Sequence, residues 1–154
     1  MIRFVAALPV KRGDVRGFQD VAAGVSEQIA VLWTVPVLRT PTGVPPSTRD
    51  RLKHLSRAGN RLQVAGTSHR CWIDTQHVEE DPAMVANALW GAFGLFTTAA
   101  PVTSPLRPLG QQLLADELAQ STGNGLALRI ELAHTPTEVA IESVEQLLAP
   151  RPGS

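Results

Sequence analysis

Short apolar runs alternate with helix-length amphipathic segments along this chain, and that alternation limits the fold more than any other feature. Residues 29–36 read Ile-Ala-Val-Leu-Trp-Thr-Val-Pro, a nearly continuous apolar run rich in β-branched residues. A strand covered on both faces looks like this, whereas a half-wet strand alternates apolar and polar residues. Further apolar runs stand at Ile2 to Pro9, Arg70 to Asp74, Thr98 to Thr103 and Leu126 to Leu132. Each is followed by a helix signal. Phe18, Val21, Ala22 and Val25 recur at helical spacing and predict a helix over Val15 to Glu27. Ser47 or Thr48 can cap a helix reaching about Val64. Asp81-Pro82 supplies a cap and a first-turn proline for a helix to about Phe96. Leu106 to Gln120 is helical in pattern and is stopped by Gly123-Asn124-Gly125. Thr135-Pro136-Thr137-Glu138 opens a last helix that runs to Leu148.

Strands separated by helices imply a parallel sheet with right-handed crossovers. The fold class is therefore α/β, repeated βα units with a parallel sheet of about five strands. Two architectures accept that order: a partial, TIM-barrel-like arrangement or an open doubly wound sheet. Residues 1–150 read as one domain and 151–154 as a disordered tail. The first βα turn lacks Gly-x-Gly-x-x-Gly, which argues against a dinucleotide-binding domain.

Fourteen Lys and Arg balance fourteen Asp and Glu. A nucleic-acid binder or a protein held on an anionic membrane normally carries a basic excess, so neither partner is expected. The segment Arg49 to Arg61 is locally basic, but its charges are spread around the helix and read as a solvated face. Cys71 is the only cysteine, so the fold does not depend on an internal disulfide. The longest apolar run, Met84 to Val102, is interrupted by Asn87, Gly91, Gly94 and Pro101, and reads as a buried helix plus a strand. With no signal-peptide pattern at the start, the expected location is the cytoplasm.

Ligands in parallel α/β folds gather at the carboxyl ends of the strands. Lys11, Gly13, Asp14, Asp74 and Arg129 are the candidate ligand-binding residues on that edge, with Thr34 beside them. A lysine and an arginine converging near a carboxylate suit a small anion such as a phosphate or a carboxylate, and Gly13 would let the backbone approach it. The plainer alternative makes Lys11 and Asp14 solvated turn residues and pairs Asp74 with Arg129 inside the sheet, because a buried charge needs a partner. Asp74, His77, Glu79, Glu80 and Asp81 offer oxygen and nitrogen donors for Mg²⁺ or Mn²⁺. Asp81 is needed as a helix cap, however, and Glu79-Glu80 suits the positive end of the following helix, so no metal is assigned. No cofactor is assigned either. The four histidines lack zinc spacing, and no serine sits in a Gly-x-Ser-x-Gly elbow.

The opening Val-Ala-Ala-Leu-Pro-Val-Lys-Arg-Gly-Asp, the run Val31 to Val35, Trp72-Ile73-Asp74 and Leu126-Ala-Leu-Arg-Ile130 together resemble the phage-associated beta family, named for a T4-like phage beta protein. The resemblance implies a TIM-barrel-like fold. It also implies a chain corresponding to the N-terminal half of a full member, since about eight βα units close a barrel. Members begin with an apolar strand followed by Lys-x-Gly-Glu, which Lys11, Gly13 and Asp14 match with Asp for Glu. Asp74 and Arg129 match polar positions of the third and fifth strands, whereas Thr34 stands where the family has an acidic residue.

The resemblance implies a fold more than an activity, and three functions are carried. One is a phage- or prophage-associated protein that binds a host or phage protein without catalysis. The second is an enzyme or binding protein for a phosphorylated or nucleotide-like anion, with Lys11 and Arg129 binding charge and Asp74 as base or metal ligand. The third is a truncated barrel with a structural role. Thr34 and the missing C-terminal units favour the first and third. A half-barrel leaves strand edges open, so self-association or a protein partner covering the edge is expected.

Overall fold

A computed structural model of the chain describes residues 4–21, 23–41, 44–65, 71–91 and 99–130, together with Glu138, Ile141, Glu142 and Glu145. Five strands form one parallel sheet: β1 (Phe4–Pro9), β2 (Ile29–Thr34), β3 (Cys71–Asp74), β4 (Ala99–Thr103) and β5 (Ala127–Leu128). Their spatial order is β1-β2-β3-β4-β5, the same as their order in the chain. A doubly wound sheet reverses direction at a switch point, and this one does not. Of the two architectures that the sequence allows, the observed one is the sequential winding of a (β/α) barrel arc.

Sequential winding with right-handed crossovers puts every helix on one face. The core agrees. Val10, Val31, Trp33, Val35, Cys71, Ile73 and Ala99 from the sheet side cluster with Val15, Leu55, Ala58, Leu62, Val85, Leu89 and Trp90 from the helices. Phe18 meets Trp33 edge-on, with ring centroids 5.7 Å apart. Strand side chains alternate between faces, so Ala7, Leu32, Trp72 and Ala100, which share register, belong to the opposite face. Val5 on that face is 59 % exposed.

The helices are α1 (Arg12–Gln19), α2 (Ala23–Ser26), α3 (Thr48–Val64), α4 (Pro82–Ala86) and α5 (Leu109–Thr122). The helix predicted over Val15 to Glu27 starts earlier, at Arg12, and is interrupted between Gln19 and Ala23. Asp14 sits in its first turn, where a carboxylate complements the positive end of the helix. Ser47 starts α3 with a capping box: its Oγ accepts the Asp50 N–H (3.2 Å), while Asp50 Oδ2 accepts the Ser47 N–H (3.3 Å). Asp81 caps α4 by accepting the Met84 N–H at 3.0 Å. That helix widens into a π-helical turn at Asn87–Gly91. Its predicted continuation to Phe96 lies outside the described residues, as do the start of strand three at Arg70 and the tail 151–154.

Helix α5 begins three residues later than predicted, because Pro108 disfavours helical backbone at Arg107. It ends on Gly123, whose φ of +68° is left-handed and whose N–H donates to the Ala119 carbonyl at 3.0 Å. Strand β5 is shorter than the predicted Leu126 to Leu132; the Arg129 N–H still donates to the Thr103 carbonyl (2.8 Å), and 131–132 are outside the described residues. The predicted last helix is also mostly outside them, with Glu138, Ile141, Glu142 and Glu145 helical. Among the described residues no helix is long and apolar enough to cross a membrane.

Candidate functional site

The register brings Pro9, Thr34 and Asp74 side by side at the carboxyl ends of β1, β2 and β3. Two separate groups of side chains are built on that edge.

The first is an ion network centred on Asp74, which is fully buried. Its Oδ2 accepts from Arg129 Nη1 at 2.7 Å. Its Oδ1 accepts from Arg107 Nη2 and from the Gln76 N–H, the latter at 3.1 Å. Arg107 Nη1 also donates to Glu79 Oε1 (2.8 Å) and to the Val102 carbonyl (2.6 Å). Glu79 Oε1 further accepts from Thr75 Oγ1 at 2.8 Å. Arg107 reaches this position because β4 exits into a tight turn, with the Arg107 N–H donating to the Ser104 carbonyl at 3.0 Å. Gln112 Nε2 then holds the Arg107 carbonyl at 2.7 Å.

Burial alone would push the Asp74 carboxyl up. The Arg107 charge and the hydrogen bonds from Arg129, Arg107 and Gln76 outweigh it and hold the group below its ordinary value of 3.8. For Glu79 burial wins over the Arg107 charge and the Thr75 hydrogen bond, and its carboxyl is raised above the ordinary 4.5. Asp74 therefore has both oxygens committed to partners, and its ionised form is stabilised. That is the opposite of what a general base poised for proton abstraction needs.

The second group lines an open cleft of about 610 Å³ at the ends of β1 and β2. Lys11, Thr34, Arg39, His54 and His77 provide its polar wall, and Pro9, Pro36, Val37 and Leu38 its apolar one. Lys11 stands at the N-cap of α1 with extended backbone and no capping bond from its side chain. His54 is fixed by donating to the Pro36 carbonyl at 2.8 Å, which assigns the proton to Nε2. Gln76 Nε2 donates to His77 Nε2 at 3.0 Å. Lys11 and Arg39 bring two basic side chains to this cleft, and no carboxylate is among the described residues that line it.

The five residues singled out in the sequence thus separate. Asp74 and Arg129 are brought together, as the plainer alternative required. Lys11 shares its cleft with Thr34, not with Asp74 or Arg129. Gly13 and Asp14 lie in the first turn of α1 and line neither group. Arg107, Arg39 and His54 were not picked out from the sequence. Arg107 and Arg39 both follow a strand end, as Lys11 does, and reading every polar strand exit as Lys11 was read would have found them. His54 carries no such signal, since it sits among the other charges of α3.

Cys71 does not take part in either group; burial pushes its thiol up to about 11, which leaves it inert as a nucleophile. Among the described residues no group of three or more His, Cys, Asp or Glu side chains is placed to hold a metal ion.

No curated protein and no solved structure matches this chain. The family model described as Beta protein matches residues 4–150. That match spans all five strands and both groups at the carboxyl edge, and the chain belongs to the Beta protein family.

Proposed function

We propose that the protein binds a small, multiply charged anion, a phosphate or a carboxylate, in the cleft at the ends of β1 and β2. One observation carries this reading: Lys11 and Arg39 face a common space with Thr34 and two imidazoles, and no described lining residue is acidic. Oxyanions are recognised by such sets of cationic and hydroxyl donors. The Asp74 network serves the site indirectly. It ties the exits of β3, β4 and β5 together through Asp74, Arg107 and Arg129, while β2 is joined to it by the Val35 N–H donating to the Asp74 carbonyl (2.8 Å). Titration calorimetry with inorganic pyrophosphate tests the reading. Hydrogen bonds to charged groups are worth about 1.5–3 kcal/mol, so Lys11→Ala or Arg39→Ala should each weaken binding by roughly tenfold or more. Unchanged affinity in both variants would refute it.

A second reading, interaction with protein, is favoured by β1. Among the described residues this strand pairs only with β2, and its Val5 is exposed. An unpaired edge is a template for another strand. On this reading a second copy, or a phage- or host-derived partner, covers the edge. A monomeric mass by light scattering at micromolar concentration would remove the second copy.

A further inference from the structure

A smaller pocket of about 130 Å³ adjoins the cationic cleft. The two spaces share Val37, Leu38, His54 and His77 as a common wall. Beyond that wall the small pocket is apolar on Leu55, Val78 and Met84. Its charged rim is engaged in part: Arg51 pairs with Glu80, and Asp81 accepts the Met84 N–H as the cap of α4. The rim still sets one guanidinium against two carboxylates, and Arg51 Nε is buried with no hydrogen-bond partner among the described residues, while the floor offers apolar surface. A cavity of roughly 150 Å³ lined by aliphatic side chains accepts a benzene ring, so this pocket is the size of one ring.

Resting on the anion-binding reading above, we infer that the ligand is an anion bearing one ring-sized apolar group, an aryl phosphate or aryl carboxylate in chemical class. Its charged end lies against Lys11 and Arg39 and its ring enters the pocket between the exits of β2 and β3. His54 and His77 stand at the junction, each held by a hydrogen bond, to the Pro36 carbonyl and from Gln76 respectively. They set the angle between the two ends of the ligand. Inorganic phosphate fills only the first space.

Calorimetry with inorganic phosphate and phenyl phosphate separates this inference from the reading beneath it. Phenyl phosphate should bind at least tenfold more tightly than phosphate, since burying an aromatic ring is favourable. Val78→Phe fills the pocket and should abolish that gain while leaving phosphate binding unchanged. Met84→Trp, which fills the pocket from the other side at a residue that does not line the cleft, is the second variant should Val78→Phe fail to give a cooperative melt. Equal affinity for the two anions in the wild type would overturn the inference and leave anion binding standing. A gain that survives in the filled variant would overturn it as well. Failure of both anions to bind would overturn both readings.

Discussion

Asp74 binds two arginines through one carboxylate, and the two bonds differ in weight. Arg107 is 7 % exposed in its side chain, Arg129 37 % and Asp74 not at all. Removing one partner of a buried ion pair leaves an uncompensated charge and costs about 3–5 kcal/mol. Asp74→Asn should lose that much stability in urea denaturation, because Arg107 keeps only Glu79 as a countercharge. Arg129→Gln should cost about 1 kcal/mol, since solvent screens a partly exposed pair. The Asp74 contribution also has a sign in pH. Its folded carboxyl titrates below 3.8, so the contribution is present above 3.8 and is lost as pH falls through the folded value. Glu79, raised above 4.5, runs the other way: its contribution is present below 4.5 and is lost as pH rises through its folded value. The stability gap between wild type and Asp74→Asn should therefore narrow below pH 3.8, and a gap constant with pH would contradict the assignment. The pairing of Asp74 with Arg129 was legible in the sequence because a carboxylate closing an apolar strand must find a cation. Arg107 was not, because its place depends on how the turn after Thr103 folds back, and no spacing rule encodes that.

At the scale of elements, the helix starts were the most readable features. Ser47 and Asp81 announce themselves by type and position, and both side chains make the expected capping bonds. Ser47→Ala removes the acceptor for the Asp50 N–H and should cost about 1 kcal/mol, measured as a shift of the urea midpoint with unchanged slope. Element ends were harder to place. The first helix begins where Lys11 leaves β1 rather than at Val15, because nothing in Arg12-Gly13-Asp14 forbids helical backbone and Asp14 favours it. Gly13, which in sequence suggests a close approach of the backbone to an anion, sits in a helix with open space where a Cβ would be. Strand five read as seven residues, but its paired length is set by where β4 stops, at Thr103, and not by its own apolar content.

For the whole molecule, the alternation of strands and helices was visible in the sequence and the order of strands in the sheet was not. Singly and doubly wound sheets share the same succession of elements; they differ in which neighbour each strand chooses, and hydrophobic periodicity is silent on that. The observed order puts the helices on one face and gathers the exits of β1 and β2 around one cleft, where Lys11, Thr34, Arg39, His54 and His77 meet. Anion binding at that cleft is the central claim. Backbone amide NMR with added inorganic phosphate tests it most directly, because it reports where an anion sits as well as whether it binds. Saturable shifts confined to the neighbourhood of Lys11, Thr34, Arg39, His54 and His77 are predicted, with Arg49, Arg57 and Arg16 unmoved. Shifts spread over the basic positions of α3, or no shifts at all, would contradict it.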